Sequence, residues 1–211
     1  MQIDHLFIRV KPCGAEAEAL RAFGLIEGSG NVHPGQGTAN RRFFFANAFI
    51  ELLWIADEAE VHSAQTRPTM LHERLSDGAA SPFGICFRPA HSAEGPAFAT
   101  FDYAPSYLPP GMRIGIAANA PLSEPMWFFV ATGKAPEAWP VERRQPLQPA
   151  HGLTNISGLK FTATAPLSPA ARASGIEFTP GSAHLLEISF DNEKRGLTKD
   201  FRPVLPIIFR Y

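Results

Sequence analysis

The chain has 211 residues, of which 45% are apolar, enough to bury a substantial core in one large domain or in two small modules sharing a sheet. Nineteen Lys and Arg stand against twenty Asp and Glu, and no basic run is long enough to follow a phosphate backbone, so nucleic acid is excluded as an expected partner. No window approaches the roughly 20 apolar residues of a membrane span, and the start Met1-Gln2-Ile3-Asp4-His5 lacks a signal peptide's basic and apolar regions, so no membrane association and a cytoplasmic location are expected.

Seventeen Phe and twenty Pro favour aromatic-faced sheets joined by sharp turns, with helix in the minority. The first element is an apolar strand from about Ile3 to Val10 with one imidazole, His5, set into it. Pro12 and Gly14 punctuate the chain. Ala15 to Gly24 then reads as a helix, with Ala19, Leu20 and Phe23 at three-to-four spacing and a terminal glycine. A short strand falls within Leu25 to Val32. After the turn-rich His33-Pro34-Gly35-Gln36-Gly37-Thr38, the runs Arg42 to Phe45 and Phe49 to Trp54 form a hairpin, with a carboxylate, Glu51, in its second arm. The order is βαβββ. A neutral imidazole and a carboxylate in apolar strands are costly without a partner, a metal or a substrate, so His5 and Glu51 are the first candidates for chemistry.

Residues 61–81 are polar and read as a linker with a helix near Met70 to Leu75. A second strand-rich unit spans 82–132. Its runs are Phe83 to Arg88, Phe98 to Tyr103, Arg113 to Ala117 and Met126 to Ala131, and its helix is poorly marked. A Pro-rich connection, 133–151, leads to a C-terminal βαββ unit and final strand over 152–211. There Ile156 to Phe161 echoes the first strand and Leu185 to Phe190 echoes the Glu51 strand, with Ser168 to Ser174 as a brief helix. Either later unit can pair with the first. Cys13 and Cys86 have no metal-knot spacing and read as reduced bystanders.

A βαβββ unit that begins IDHLFIRV and ends FIELLW resembles the vicinal oxygen chelate superfamily, which includes glyoxalase I, extradiol dioxygenases and bleomycin-resistance proteins. The intervening HPGQGTANRRFFF is similar to a glyoxalase-like subfamily in which that Gly-rich turn recurs. The resemblance implies an α+β protein of tandem βαβββ units forming half-open barrel sheets around a cavity for a small-molecule ligand. It implies metal ligands at a first-strand His and a fourth-strand Glu of each half. His5 and Glu51 match the first half. Gly84 or Gly158 stands at the second half's histidine position, while the fourth strand offers Trp127 to Phe129 in the nearer unit and Glu187 in the distal one.

His5, Glu51 and Glu187 are therefore the expected ligands of a divalent ion such as Zn²⁺, Ni²⁺, Mn²⁺ or Fe²⁺, with Glu51 and Glu187 also as catalytic carboxylates. Asn40, Arg41 and Trp54 are the expected substrate-binding side chains, the first two because they follow a Gly-rich turn and can hold an anion. His151 and His184 offer no derivable geometry for completing the ligand set. His62, His72 and His91 read as exposed and receive no role. Three functions compete: a metal-dependent lyase, isomerase or dioxygenase; a metal-free binder that sequesters a small molecule as bleomycin-resistance proteins do; and a homodimeric regulatory or structural module.

Overall fold

The computed structural model describes residues 1–76, 78–148, 152–163 and 166–211. His151 lies outside the described residues. The first unit follows the expected order: β1 (Gln2–Arg9), α1 (Ala17–Ala22), β2 (Asn31–His33), β3 (Thr38–Phe44) and β4 (Phe49–Ile55). Two short helices, α2 (Glu58–Val61) and α3 (Leu71–Leu75), lead to β5 (Phe83–Arg88), β6 (Thr100–Tyr103), β7 (Ile114–Ala117) and β8 (Met126–Phe129). These eight strands form one sheet in the order β2-β3-β4-β1-β5-β8-β7-β6.

Each half repeats one construction: β1 runs parallel to β4, β5 runs parallel to β8, and β1 meets β5 antiparallel at the centre. The residues at 82–132, and not those at 152–211, are thus the partner of the first unit. His33 of edge strand β2 and Tyr103 of edge strand β6 line the same cavity, so the sheet curls around it without closing. The protein is α+β, with a half-open barrel.

Strand alternation sorts the core into two parts. Leu6, Ile8, Ile50, Leu52, Ile85, Phe87, Trp127 and Phe129 point to the outer face and join the larger apolar cluster. Phe7, Leu53, Cys86, Ile116, Met126 and Phe128 point inward with Val61, Leu71 and Leu75 of the linker helices. The C-terminal region departs from a third copy of the unit. β9 (Ile156–Ala163), α4 (Pro169–Ala173), β10 (Glu177–Pro180), β11 (Leu185–Phe190), β12 (Thr198–Asp200) and β13 (Ile207–Arg210) form a separate sheet, ordered β10-β9-β11-β13-β12.

This second sheet gives the poorly marked helix of the second half its physical explanation. Phe161 and Phe178 stack on each other and meet Trp127 edge-on, and Leu159, Leu186, Ile188 and Phe209 join the outer cluster. The C-terminal sheet covers the outer apolar face that α1 covers only in the first half. Glu124 locks the junction: it accepts hydrogen bonds from the Ser168 amide and hydroxyl, both at 2.6 Å, and from Trp127 Nε1 at 3.2 Å. Among the described residues no helix is long and apolar enough to cross a membrane.

Candidate functional site

The curled sheet encloses a cavity of about 190 Å³. Its walls are mainly Phe7, Phe49, Phe128, Met126, Ile116 and Leu71, and its polar groups include His5, Glu51, His33 and Arg42. The two residues singled out by their cost in apolar strands therefore share one hollow. His5 projects from β1 and Glu51 from the parallel neighbour β4, offset by one inward-facing position, since His5 pairs with Phe49 and Phe7 with Glu51.

Their immediate partners are specific. The register of β1 against β5 slips between Ile3 and His5, leaving Asp4 as the extra residue of a β-bulge. The bulge turns the Asp4 carboxylate toward its own neighbour, and His5 Nδ1 lies 2.8 Å from Asp4 Oδ1. Hydrogen bonding there leaves Nε2 as the ring nitrogen available to a bound molecule. Arg88 Nη1 stands 3.6 Å from Asp4 Oδ2 and donates to the Ile3 carbonyl at 2.6 Å, which holds the bulge from the β5 side. The His5 ring is sandwiched, stacked on Phe49 at 4.5 Å and edge-on to Phe128 at 5.4 Å. Glu51, only 7% exposed, accepts from the Asn40 side-chain amide, whose oxygen accepts in turn from the Asn31 backbone at 2.7 Å.

The Gly-rich turn serves the cavity through its side chains. Thr38 Oγ1 receives Gln36 Nε2 at 2.7 Å and sits 2.8 Å from His33 Nδ1. Tyr107, from the segment between β6 and β7, packs on the His33 ring at 4.8 Å and donates to Gln36 Oε1 at 3.3 Å. Burial lowers the pKa of His33, an effect the Glu51 charge opposes and the Arg42 and His5 charges reinforce. Burial likewise raises that of Tyr107, so both are neutral near pH 7.

Of the expected substrate-binding residues, Asn40 alone faces this way. Its even-numbered neighbours on β3 share its side, and Arg42 pairs with Glu51 in the hairpin register and lines the cavity. Arg41 points to the opposite face, where it ion-pairs with Glu27 at 2.5 Å and Glu18 at 2.8 Å and donates to the Gly14 carbonyl. Trp54 also faces outward, against the larger core cluster. A shift of one residue along a strand reverses the face, and Arg42 was legible by counting back from Glu51 across the hairpin.

Glu187 is also corrected. It lies on β11 of the C-terminal sheet, bonded to Arg210, in a groove with Lys160 and Glu193, and takes no part in the cavity of His5 and Glu51. His184 lines a different groove, with Arg9 and Pro82, and approaches the Ala79 carbonyl at 3.1 Å.

The symmetry of the eight-stranded sheet shows what stands in the second half's ligand places. Exchanging the halves about the central Leu6–Ile85 pair carries His5 to Gly84 and Glu51 to Phe128, because Phe7 pairs with Glu51 as Cys86 pairs with Phe128. A Cβ at Gly84 would fall under 3.0 Å from three atoms of the Phe7 ring, so an aromatic side chain occupies the space a ligand there would need. Of the symmetric four-ligand set two members remain. Among the described residues two groups of three place metal-ligating atoms within 4.8 Å of one another, Asp4-His5-Cys86 and Glu58-His62-His72, and neither includes Glu51. The residues present do not fit the superfamily's metal centre.

Comparison with known families agrees with this geometry. Residues 3–99 match the family model described as a glyoxalase-like domain. Over this segment, 97 of the 211 residues, the chain is similar to glyoxalase-like domains. The match runs from β1 through β5, so the glyoxalase-like segment contains His5, the Gly-rich turn, Glu51 and Gly84. No curated protein matches the sequence.

Among solved structures, a hypothetical protein from Staphylococcus aureus is similar over 99% of this chain and 98% of its own, at 11% identity and a TM-score of 0.57, a likeness of fold. Streptomyces coelicolor methylmalonyl-CoA epimerase in complex with 2-nitronate-propionyl-CoA covers 64% of this chain and 97% of its own, at 18% identity and a TM-score of 0.42. Methylmalonyl-CoA epimerase in complex with methylmalonyl-CoA and ammonium gives the same coverage and identity with a TM-score of 0.41.

Proposed function

We propose that the glyoxalase-like cavity binds a small organic molecule of about one substituted aromatic ring, without a metal, its polar end toward His5 and Glu51 and its apolar end toward Phe7, Met126 and Phe128. The observation that carries this reading is the asymmetry of the two halves: donors and acceptors stand in the first, while Gly84 and Phe128 stand in their places in the second. An apolar cavity of about 150 Å³ accepts benzene, and drug-sized ligands need roughly 300 Å³ or more, so about 190 Å³ suits the smaller class. The aromatic faces around His5 suit a flat ligand.

A thermal-shift screen of single-ring phenols, aryl amines and aryl carboxylates tests this. A ligand at 100 times its Kd adds roughly 2.7 kcal/mol, or about 5–11 °C for a chain of this length. Binding that weakens in E51Q and in F128A supports the placement. A flat response across the panel refutes it.

The Asp4–His5 contact favours a second reading, proton transfer on the bound molecule. A carboxylate that fixes one imidazole nitrogen leaves the other oriented to take or give a proton, with Glu51 as the complementary group. Exchange of deuterium from solvent into a bound ligand's acidic C–H, lost in H5Q, distinguishes turnover from sequestration.

A further inference from the structure

A second constellation lies outside the cavity, on the helical segment between β4 and β5. Asp57 caps α2 by accepting from the Glu60 amide at 2.9 Å, placing Glu58 in the first turn and His62 at the C-cap one turn later, on the same side. His62 Nδ1 lies 2.7 Å from the Glu58 carbonyl, a hydrogen bond this nitrogen gives up on binding an ion. Met70, in the left-handed region at φ 56°, precedes α3, whose second residue is His72. The rings of His62 and His72 are 4.0 Å apart, and Glu58 Oε2 stands 3.7 Å from His62 Nδ1 and 4.0 Å from His72 Nε2.

We propose that Glu58, His62 and His72 form a surface site for a borderline divalent transition-metal ion, Zn²⁺ or one of its neighbours, held by two imidazoles and one carboxylate with the remaining position open to water. Metal–ligand bonds of about 2.1 Å set neighbouring donors in a tetrahedron about 3.4 Å apart. Glu58 Oε2 stands 0.3 Å beyond that spacing from His62 Nδ1 and 0.6 Å beyond it from His72 Nε2, and one ligand atom from each of the three residues lies within 4.8 Å of the others. Two imidazoles with a single carboxylate select Zn²⁺, Ni²⁺ or Cu²⁺ over Mg²⁺ or Ca²⁺, which take oxygen.

The helices carrying the donors are anchored, since Val61, Leu71 and Leu75 are buried in the inner apolar cluster. The donors therefore pay little to be positioned. Leu71, next to His72, lines the cavity, and Glu60 accepts from the Gly35 amide at 2.7 Å. An ion clasping α2 to α3 braces the segment that walls the cavity and holds the Gly-rich turn.

Calorimetric titration of tag-free protein with ZnCl₂ decides the matter. One ion per chain is expected, with affinity falling at least about tenfold in each of E58Q, H62Q and H72Q, since even outer-sphere partners of a metal ligand are worth roughly ten- to a hundredfold. H5Q, in the cavity, should bind Zn²⁺ as the wild type does. Glu58 and His62 are exposed, so E58Q and H62Q should melt with the wild type when no metal is added, and a melt of H72Q, whose side chain is half-buried, separates a lost ligand from a lost fold there. No saturable uptake by the wild type, or uptake that survives H62Q and H72Q, overturns the assignment.

Discussion

Gly84→Ala probes the contact that removes the second half's ligand place. A methyl carbon at this position meets Cε1, Cζ and Cδ1 of Phe7 at separations under 3.0 Å, which real Cβ atoms essentially never show. Phe7 is 2% exposed, and its ring must be driven toward the cavity or against Phe128, whose ring centroid is 6.2 Å away. Overpacking of this kind costs about 1–3 kcal/mol.

The backbone at Gly84 is an ordinary strand, where Gly→Ala otherwise stabilises by about 0.4–1 kcal/mol through the unfolded chain. The clash wins, leaving a net loss of roughly 0.5–2 kcal/mol, or about 1–8 °C in Tm. The decisive comparison is made in the F7A background. Phe7→Ala alone costs about 3–5 kcal/mol by opening a cavity, and adding G84A then removes no contact and fills part of the void, so its effect reverses to neutral or stabilising. Denaturant melts of the four proteins measure the coupling, expected at about 0.5–3 kcal/mol. If G84A has the same effect in both backgrounds, or stabilises the wild type, the Phe7 ring does not fill this place and the argument against a symmetric ligand set fails.

Asn40→Ala leaves the buried Glu51 carboxylate without its amide donor and should cost about 1.5–3 kcal/mol, whereas E51Q retains an acceptor and should cost under about 1 kcal/mol, both read by urea melts. The buried His33 has a folded-state pKa below its ordinary 6.5, so the unfolded chain takes up a proton that the folded one resists. Stability is therefore complete above that value and falls as pH drops below about 6.5, and H33Q should flatten that part of a Tm-against-pH curve. Arg74, whose pKa burial draws down to about 10, donates to the Glu124 carbonyl at 2.8 Å and to those of Ala120 and Pro121 at 3.3 and 3.4 Å. R74M strands these acceptors and should cost about 3 kcal/mol, lowering Tm by roughly 6–12 °C, and an unchanged melt would refute the role of this clasp between α3 and the turn before β8.

The sequence by itself determined what depends on period and on local cost. Short apolar runs marked β1, β3, β4, β5 and β8, and a polar side chain amid apolar neighbours marked His5 and Glu51, because burial of such groups is expensive wherever the strand lies. The Ala-rich run and the Gly-rich turn are likewise local. The tertiary structure decided everything that depends on which face meets which. Arg41 and Arg42 are adjacent and chemically alike, and the pairing of β3 with β4 turns one toward Glu27 and the other toward the cavity.

Glu187 sits in an apolar strand much like that of Glu51, yet Arg210 on the parallel β13 supplies its partner, and its sheet packs on the outer side of the barrel. Asp4 reads as an ordinary polar residue until the bulge on β1 turns it toward His5. Periodicity encodes that a strand has two faces. Only the assembled sheet says which of them is inside, because that depends on contacts made by residues distant in the chain.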